Sequence, residues 1–161
     1  EDKYEWSDPY VNNQQVVVVA KNSGINKLAD LKDKYVAAQS ASAALQLLQE
    51  GGSQEKLGKT FKEIQEFPDY NTAFSELEAG TVDAVAMDVG VAKYQVNNRN
   101  NNYVILDENL NSEQYGIGFK KGNTELRDKV NADLKKLYDE GKVDELAKKY
   151  GIEDMICLGD K

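Results

Sequence analysis

Apolar runs and segments of helical spacing alternate along the chain, and polar or glycine-containing turns separate them. Residues 82–87 are typical of the apolar runs, because every position except Asp83 is apolar. Such a run indicates a strand that is covered on both faces, as in a parallel sheet between helices. Apolar or alternating character predicts further strands at residues 16–20, 35–39, 61–67, 103–106 and 114–119.

Helices are predicted between these strands from apolar residues spaced three or four positions apart. They cover residues 25–32, 43–50, about 70–79, a segment from 89 onward, about 124–140, and 143–150. Strand and helix therefore alternate three times before crossover strands and two C-terminal helices. This order predicts an α/β fold with a largely parallel sheet flanked by helices. Residues 53–59 and the asparagine-rich segment 97–102 are predicted to be solvated connections.

The composition narrows the possible functions. The 161 residues carry a net charge of −8, with no histidine and a single cysteine, Cys157. The negative charge argues against nucleic-acid binding. The lack of histidine excludes serine–histidine and cysteine–histidine catalysis, and zinc sites with imidazole ligands. We expect no cofactor and no metal, although an enzyme based on carboxylates or lysine stays open. No apolar run approaches the roughly 20 residues that a membrane helix needs.

Asp88 lies where the strand predicted at 82–87 ends and the next helix begins. In open α/β sheets, ligands bind beyond the carboxyl ends of the strands. A carboxylate at this position is therefore suited to a ligand cation. Aspartate is also a favourable N-cap residue, and the position alone supports both roles equally.

Ser42 has a similar position after the strand predicted at 35–39, because a short polar turn leads from it into the helix at Ala43. The N-terminus of a helix presents free backbone N–H groups to an anion, and the hydroxyl adds a further donor. An ordinary N-cap without a ligand explains the same residues. For an isolated motif, the ordinary cap is the favoured interpretation.

Four stretches have spacings that agree with one family. They are WSDPY at 6–10, SGINKLADLKDKYVAAQSAS at 23–42, LEAGTVDAVAMD at 77–88 and SEQYGIGFKKGNTELRDKVNADLKKL at 112–137. Together they resemble the bacterial extracytoplasmic solute-binding proteins of polar amino-acid ABC transporters, which are type II periplasmic binding proteins. The agreement extends over nearly the whole chain, so the resemblance is specific although each motif alone is weak.

The resemblance implies a periplasmic-binding-protein-like fold of two α/β lobes that close on a ligand. Residues 20–108 then form the second, ligand-binding lobe. Residues 1–19 are a first-lobe remnant with a crossing strand, and residues 109–161 contain the return crossing and the C-terminal helices of the first lobe.

The resemblance also implies a site for an α-amino acid. Asp88 matches the aspartate that pairs with the α-ammonium group. Ser42, with the amides of Ala43 and Ala44, matches the helix N-terminus that holds the α-carboxylate. Gln39 matches the position that faces the ligand side chain. The full predicted ligand-binding set, which also takes in the start of the next helix, is Gln39, Ser42, Ala43, Ala44, Tyr70 and Asp88.

The chain departs from the family pattern around the predicted carboxylate site. Ala41 and Ala43 replace the usual glycine and a second serine or threonine, so one hydroxyl is lost and the turn should resist a positive φ angle. The family's arginine, which makes a bidentate carboxylate contact, falls before Glu1. We assign its role to neither Arg99 nor Arg127.

The family's preceding first-lobe segment is absent before the first residue, and the chain shows no signal peptide. We therefore expect a fragment or truncated form of a longer receptor. The helix at 124 carries an apolar stripe of Leu126, Val130, Leu134 and Leu137, which would normally cover the first-lobe sheet. We expect this stripe to pack in a new way or to form a homodimer with a second copy.

The leading function is binding of a free amino acid for delivery to the permease of an ABC importer, without catalysis. The full-length protein would act outside the cytoplasm, in the periplasm or as a cell-surface lipoprotein. One alternative is a dehydratase-like periplasmic enzyme of the same fold, with Asp69, Asp88 or a neighbouring glutamate as the acid. The other is the ligand-sensing module of a membrane receptor.

Overall fold

A computed structural model describes residues 3–100 and 102–159. The chain divides into two compact units, one of Glu1–Asn13 with Glu113–Lys161 and the other of Gln14–Ser112. Five residues of the predicted domain ranges lie outside the described residues. They are 1 and 2 of the range 1–19, 101 of the range 20–108, and 160 and 161 of the range 109–161. The assignment of these ranges to a first and a second lobe stays a prediction.

The elements, in chain order, are as follows. The strands are β1 (Tyr4–Trp6), β2 (Val11–Ala20), β3 (Tyr35–Gln39), β4 (Glu63–Phe67), β5 (Ala84–Asp88), β6 (Tyr103–Ile105), β7 (Asn111–Tyr115) and β8 (Gly118–Lys120). The helices are α1 (Ala43–Leu48), α2 (Glu55–Gly58), α3 (Tyr70–Ala79), α4 (Val89–Asn97), α5 (Thr124–Asp139) and α6 (Lys142–Tyr150). Two 3₁₀ turns span Leu28–Leu31 and Glu153–Met155.

The unit Gln14–Ser112 is built on a mixed sheet in the order β4-β3-β5-β2-β6, and β7 also pairs with β2. Strands β3, β4 and β5 are parallel, while β2 is antiparallel to both β5 and β6. Strand β6 therefore points the same way as β3 to β5, as expected for strands joined by helical crossovers. The predicted α/β class is confirmed, and the sheet is mixed because β2 is inserted between β5 and β6 in the opposite direction.

The centre of this sheet is covered on both faces, as the apolar run at 82–87 predicts. The four residues from Ala84 to Met87 are all fully buried. Ala84 and Ala86 belong to a cluster with Ala44 and Leu48 of α1. Their alternate neighbours in the strand face the other side, because successive side chains of a strand point in opposite directions.

Asp83, the polar residue in this run, fixes the start of two strands. Its backbone N–H donates to the carbonyl of Tyr35 at 2.8 Å, and its Oδ2 accepts from the backbone N–H of Tyr35 at 2.9 Å. Both bonds join the residue before β5 to the first residue of β3, so they help to set the register of the pair.

Three predicted elements differ from the structure in type or by more than two residues at one end. Strand β2 begins at Val11 rather than at residue 16, because the buried polar residues Asn13 and Gln15 extend it. The predicted helix at 25–32 is only the 3₁₀ turn Leu28–Leu31. The strand predicted at 114–119 is divided between β7 and β8, which belong to different sheets. Strand β1 and helix α2 are not predicted from the sequence.

The unit that contains the C-terminus has a two-stranded sheet of β1 and β8, together with α5 and α6. An ion pair of 3.3 Å joins Arg127 Nη1 of α5 to Glu5 Oε2 of β1. The Gly122 N–H, which donates to Glu5, holds the pKa of this carboxyl below its usual value, and Lys121 and Arg127 act in the same direction. Arg127 therefore has a structural role within this unit.

Helix α5 leaves the two ends of its predicted apolar stripe exposed, while Val130 and Leu134 are half-buried. No residue of α5 is buried, and the side chains of Leu126 and Leu137 are 46% and 39% exposed. In α6, Leu146 and Tyr150 are 57% and 65% exposed. Among the described helices, none is long and apolar enough to cross a membrane.

Candidate functional site

Three helices begin at one edge of the sheet in the unit Gln14–Ser112. Helices α1, α3 and α4 follow β3, β4 and β5, and parallel strands place their carboxyl ends at the same edge. Each helix begins with a side-chain cap. The oxygens of Ser42, Asp69 and Asp88 accept a backbone N–H of the following turn at 3.2, 2.9 and 3.1 Å. This edge therefore collects the positive ends of three helices.

Asp88 is the last residue of β5 and the N-cap of α4. Its half-buried carboxylate accepts the backbone N–H of Gly90 through Oδ1. A carboxylate has about four acceptor positions on its two oxygens. The cap that the sequence predicts is therefore present, and it does not exclude the second predicted role, in which the carboxylate pairs with a ligand ammonium group.

Ser42 caps α1, and its backbone carbonyl accepts the N–H of Gln46 at 3.1 Å. The amides of Ala43 and Ala44 lie in the first turn of the helix, where backbone N–H groups have no carbonyl partner within the helix. Ala43 is exposed and Ala44 is fully buried. The predicted carboxylate contacts thus lie together in one helix turn, and their role in binding stays a prediction.

Ala41 adopts the conformation that the sequence analysis expects it to resist. Its φ angle is +57°, in the left-handed region where a Cβ atom is strained. The expectation was wrong because the turn is held from both sides. Ser40 N donates to Phe67 O at 2.8 Å, and Ser42 N donates to Gln39 O at 3.2 Å.

We expect Ala41→Gly to raise the free energy of unfolding by about 0.5–1 kcal/mol. A left-handed non-glycine residue costs about 1–2 kcal/mol, and the greater backbone freedom of glycine in the unfolded chain offsets about 0.5–1 kcal/mol of the gain. Urea unfolding measures the difference. Ala79→Gly, at an exposed helix position without a positive φ angle, is the matched control and should lower stability. Equal losses in both variants would contradict the strain at Ala41.

Tyr70 brings two of the predicted site residues together. Burial raises the pKa of this phenol above its ordinary value, and the negative charge of Asp88 acts in the same direction. Hydrogen bonds with the Ser42 side chain and the Asp88 backbone act against this rise. The phenol of Tyr70 thus interacts with both the N-cap residue of α1 and that of α4.

Gln39 lies at the same edge but uses its amide differently. It is the last residue of β3, and its Nε2 donates to the carbonyl of Pro68 at 3.1 Å. This bond ties the end of β3 to the turn after β4. The structure therefore places Ser42, Tyr70 and Asp88 in one cluster, with Gln39 beside it on the neighbouring strand end.

Comparison with known proteins agrees with this architecture. Residues 1–153 match the family described as bacterial extracellular solute-binding proteins, family 3. The chain belongs to this family. The resemblance in the four sequence stretches is thereby confirmed, as is the periplasmic-binding-protein-like fold.

Three relatives of this solute-binding protein illustrate the match. The chain is 32% identical over 151 residues to the ABC transporter glutamine-binding protein GlnH of Bacillus subtilis, covering 93% of this chain and 52% of that protein. A substrate-binding protein of an ABC uptake transporter from Streptococcus pneumoniae, with bound histidine, is 28% identical with a TM-score of 0.81. That match covers 96% of this chain and 63% of the other. An ancestral arginine-binding protein bound to glutamine is 35% identical with a TM-score of 0.71, over 93% of this chain and 64% of the other.

The chain spans about half the length of the curated relatives it matches. Within the described residues of this solute-binding protein, no group of three or more acidic or cysteine side chains is arranged to hold a metal ion.

Sequence reasoning missed two groups of polar residues near the site of this solute-binding protein. Gln15, in β2, is buried and lies opposite Asp88 in the strand register. The residues before it are also polar, so the hydropathy pattern does not predict a strand there and does not identify Gln15. Gln95, near the end of α4, and Arg99, in the turn that follows, are bonded side chain to side chain. Their spacing of four residues, which would place them on one face of a continuing helix, is a signal that could have linked them.

Proposed function

We propose that this chain is the ligand-binding part of a receptor that holds a free α-amino acid and delivers it to the permease of an ABC importer. The observation that carries the proposal is the cluster of Ser42, Tyr70 and Asp88 at the carboxyl edge of the sheet. Relatives named for glutamine, histidine and arginine support the ligand class. Residues 20–108 would serve as the second lobe, and the protein would act outside the cytoplasm, as its family name indicates.

The cluster offers one pole for each charged group of an α-amino acid. The Asp88 carboxylate supplies the negative pole, and the first-turn amides of α1 supply the positive pole. The Tyr70 phenol interacts with the Ser42 side chain, the Asp88 backbone and the Asp88 charge, so both poles lie near one side chain. Opposite poles beside one side chain suit a ligand whose ammonium and carboxylate groups share one carbon atom.

Asp69 is one candidate for the acid of a dehydratase-like enzyme, but the direction of its pKa shift does not favour this role. Hydrogen bonds from the backbone and side chain of Thr72 lower the pKa of the Asp69 carboxyl. A general acid near neutral pH needs the opposite shift. Together with relatives named as binding proteins, this supports our proposal of binding without turnover.

Native mass spectrometry of the chain, purified without added ligand, tests the proposal by detecting a co-purifying amino acid. Calorimetry then measures binding of L-glutamine, L-histidine and L-arginine, the ligands named for its relatives. We expect saturable binding of at least one, and no chemical change of the ligand after prolonged incubation. Absence of binding at millimolar concentrations of all three, with no co-purified amino acid, would refute the proposal.

Ser42→Ala should weaken amino-acid binding by about 0.5–1.5 kcal/mol, the net value of one hydrogen bond. The loss is small because the backbone amides of α1 carry most of the carboxylate contact. Calorimetry measures the affinity, and Ser42→Thr is the control that keeps the hydroxyl. A loss larger than that caused by Asp88→Asn would show that the hydroxyl, rather than the helix terminus, holds the carboxylate.

We further infer that the exposed stripe of α5 pairs with a second copy of the chain. Leu126 and Leu137 are exposed, and apolar patches of this kind favour association. Sedimentation velocity over a range of concentrations should show a monomer–dimer equilibrium that Leu126→Glu with Leu137→Glu abolishes. Tyr94→Glu, an exposed residue of the other unit, is the control and should leave the equilibrium unchanged. A monomer at all concentrations would contradict the pairing.

A further inference from the structure

Gln95 forms a bridge between α4 and the first turn of α3. Its side chain is buried, with 5% exposure. Nε2 donates to Oδ1 of Asn71 at 3.2 Å, and Oε1 accepts from Nη1 of Arg99. Asn71 follows Tyr70 directly, so the bridge joins α4 to the turn that carries the phenol of the candidate site.

The direction of this bridge is fixed by chemistry. A guanidinium group has donors and no acceptor, so the carbonyl oxygen of Gln95 must face Arg99. The amide nitrogen must then face Asn71, and the carbonyl oxygen of Asn71 must face Gln95. The three side chains therefore have one consistent arrangement, and it satisfies the amide of Gln95, the buried member of the three.

Arg99 is itself held in place by the aromatic core. Its guanidinium carbon lies 4.7 Å from the centre of the Phe74 ring, and the ring of Tyr103 packs edge-on against the same ring at 5.7 Å. Phe74 is fully buried. A cation over an aromatic face is attracted by the ring, so the far end of the bridge is anchored on α3 as well.

We propose that Gln95 is a positioning residue of the amino-acid site, which holds the turn carrying Tyr70 against the helix that begins at Asp88. That the cluster is an amino-acid site rests on the proposed function. The positioning rests on the hydrogen bonds alone. Gln95 touches neither Tyr70 nor Asp88 in the contacts described. It acts through Asn71 on one side and through the body of α4 on the other.

The test compares three variants of the full chain. Gln95→Met keeps the length of the side chain and removes both bonds. Gln95→Glu restores the bridge, because the carboxylate accepts from Arg99 and from the amide of Asn71 once that amide turns over. Gln54→Met is the matched control, since Gln54 is a half-buried glutamine of the same unit whose Nε2 donates to Leu110 O at 2.8 Å, away from the cluster.

The first readout does not depend on a ligand. The chain has nine tyrosines, and carbon-13 labelling of the phenol carbon, with Tyr70→Phe for assignment, gives the pKa of Tyr70 by NMR. We expect this pKa to fall towards the ordinary value of about 10 in Gln95→Met, and to stay at the wild-type value in Gln95→Glu and Gln54→Met.

The second readout is affinity for L-glutamine, L-histidine and L-arginine by calorimetry. If the bridge keeps the binding-competent arrangement populated and its loss reduces that population to about one tenth, the dissociation constant rises about tenfold in Gln95→Met alone. A Tyr70 pKa unchanged in Gln95→Met, or an equal change in Gln54→Met, would overturn the positioning role. Failure of the wild-type chain to bind any of the three, with no co-purified amino acid, would refute the proposed function, while the Tyr70 pKa would still decide the positioning.

Discussion

Asp88→Asn should weaken binding of an α-amino acid by about 2–5 kcal/mol, the cost of removing one partner of a desolvated charge pair. The half-buried Asp88 carboxylate is the negative group of the cluster with Ser42 and Tyr70. Without its charge, the ligand ammonium group would lose its counter-ion and stay partly desolvated. Calorimetry with L-glutamine, L-histidine and L-arginine measures the loss.

The asparagine substitution separates the two roles of Asp88. Asparagine caps a helix about as well as aspartate, so the bond to the Gly90 N–H should persist and the stability should change little. Asp33→Asn is the control, because Asp33 is exposed and has a φ angle of +60°, which asparagine tolerates. An unchanged dissociation constant in Asp88→Asn would leave Asp88 with its capping role only.

The sequence predicts the elements whose environment is uniform along their length. Strand β3 has the predicted bounds, and β5 is fully buried from Ala84 to Met87, as a continuous apolar run requires. The glycine at position 80 correctly predicts the end of α3, where Gly80 adopts a left-handed φ angle of +76°. In these places the local pattern and the tertiary environment agree.

The remaining elements depend on contacts that the local pattern does not contain. Asn13 and Gln15 are buried within β2 although their polarity indicates a connection. The antiparallel direction of β2 follows from its insertion between β5 and β6, which local periodicity does not report. The left-handed angle at Ala41 is imposed by the bonds of Ser40 and Ser42 against a local preference.

The candidate site divides in the same way. Ser42 and Asp88 follow from their positions at strand ends, since such positions in α/β sheets meet at one edge. Their connection through Tyr70 requires the packing of α3 against the sheet. The sequence also places Arg99 in a solvated loop. Arg99 does lie in the turn after α4, but its half-buried guanidinium packs against Phe74 and bonds to the buried Gln95.

Phe74→Ala should lower the free energy of unfolding by about 3–5 kcal/mol, the usual cost of truncating a buried phenylalanine. Its side chain is fully buried on α3, so the substitution leaves a cavity. The ring also supports Tyr103 and Arg99, which would lose an edge-on and a cation–π partner. Total stabilities of small proteins are about 5–15 kcal/mol, so the variant should unfold at a much lower urea concentration.

Two further variants separate burial from the aromatic contacts. Phe74→Leu keeps most of the buried volume and loses the ring, so its smaller loss of stability reports mainly the contacts with Tyr103 and Arg99. Tyr94→Ala removes a side chain that is 64% exposed, and should change stability by no more than about 0.5 kcal/mol. If Phe74→Ala were as mild as Tyr94→Ala, the packing of α3 against the sheet would not be the one described. The anchor assigned to Arg99, and with it the bridge from Gln95 to Asn71, would then lose its support.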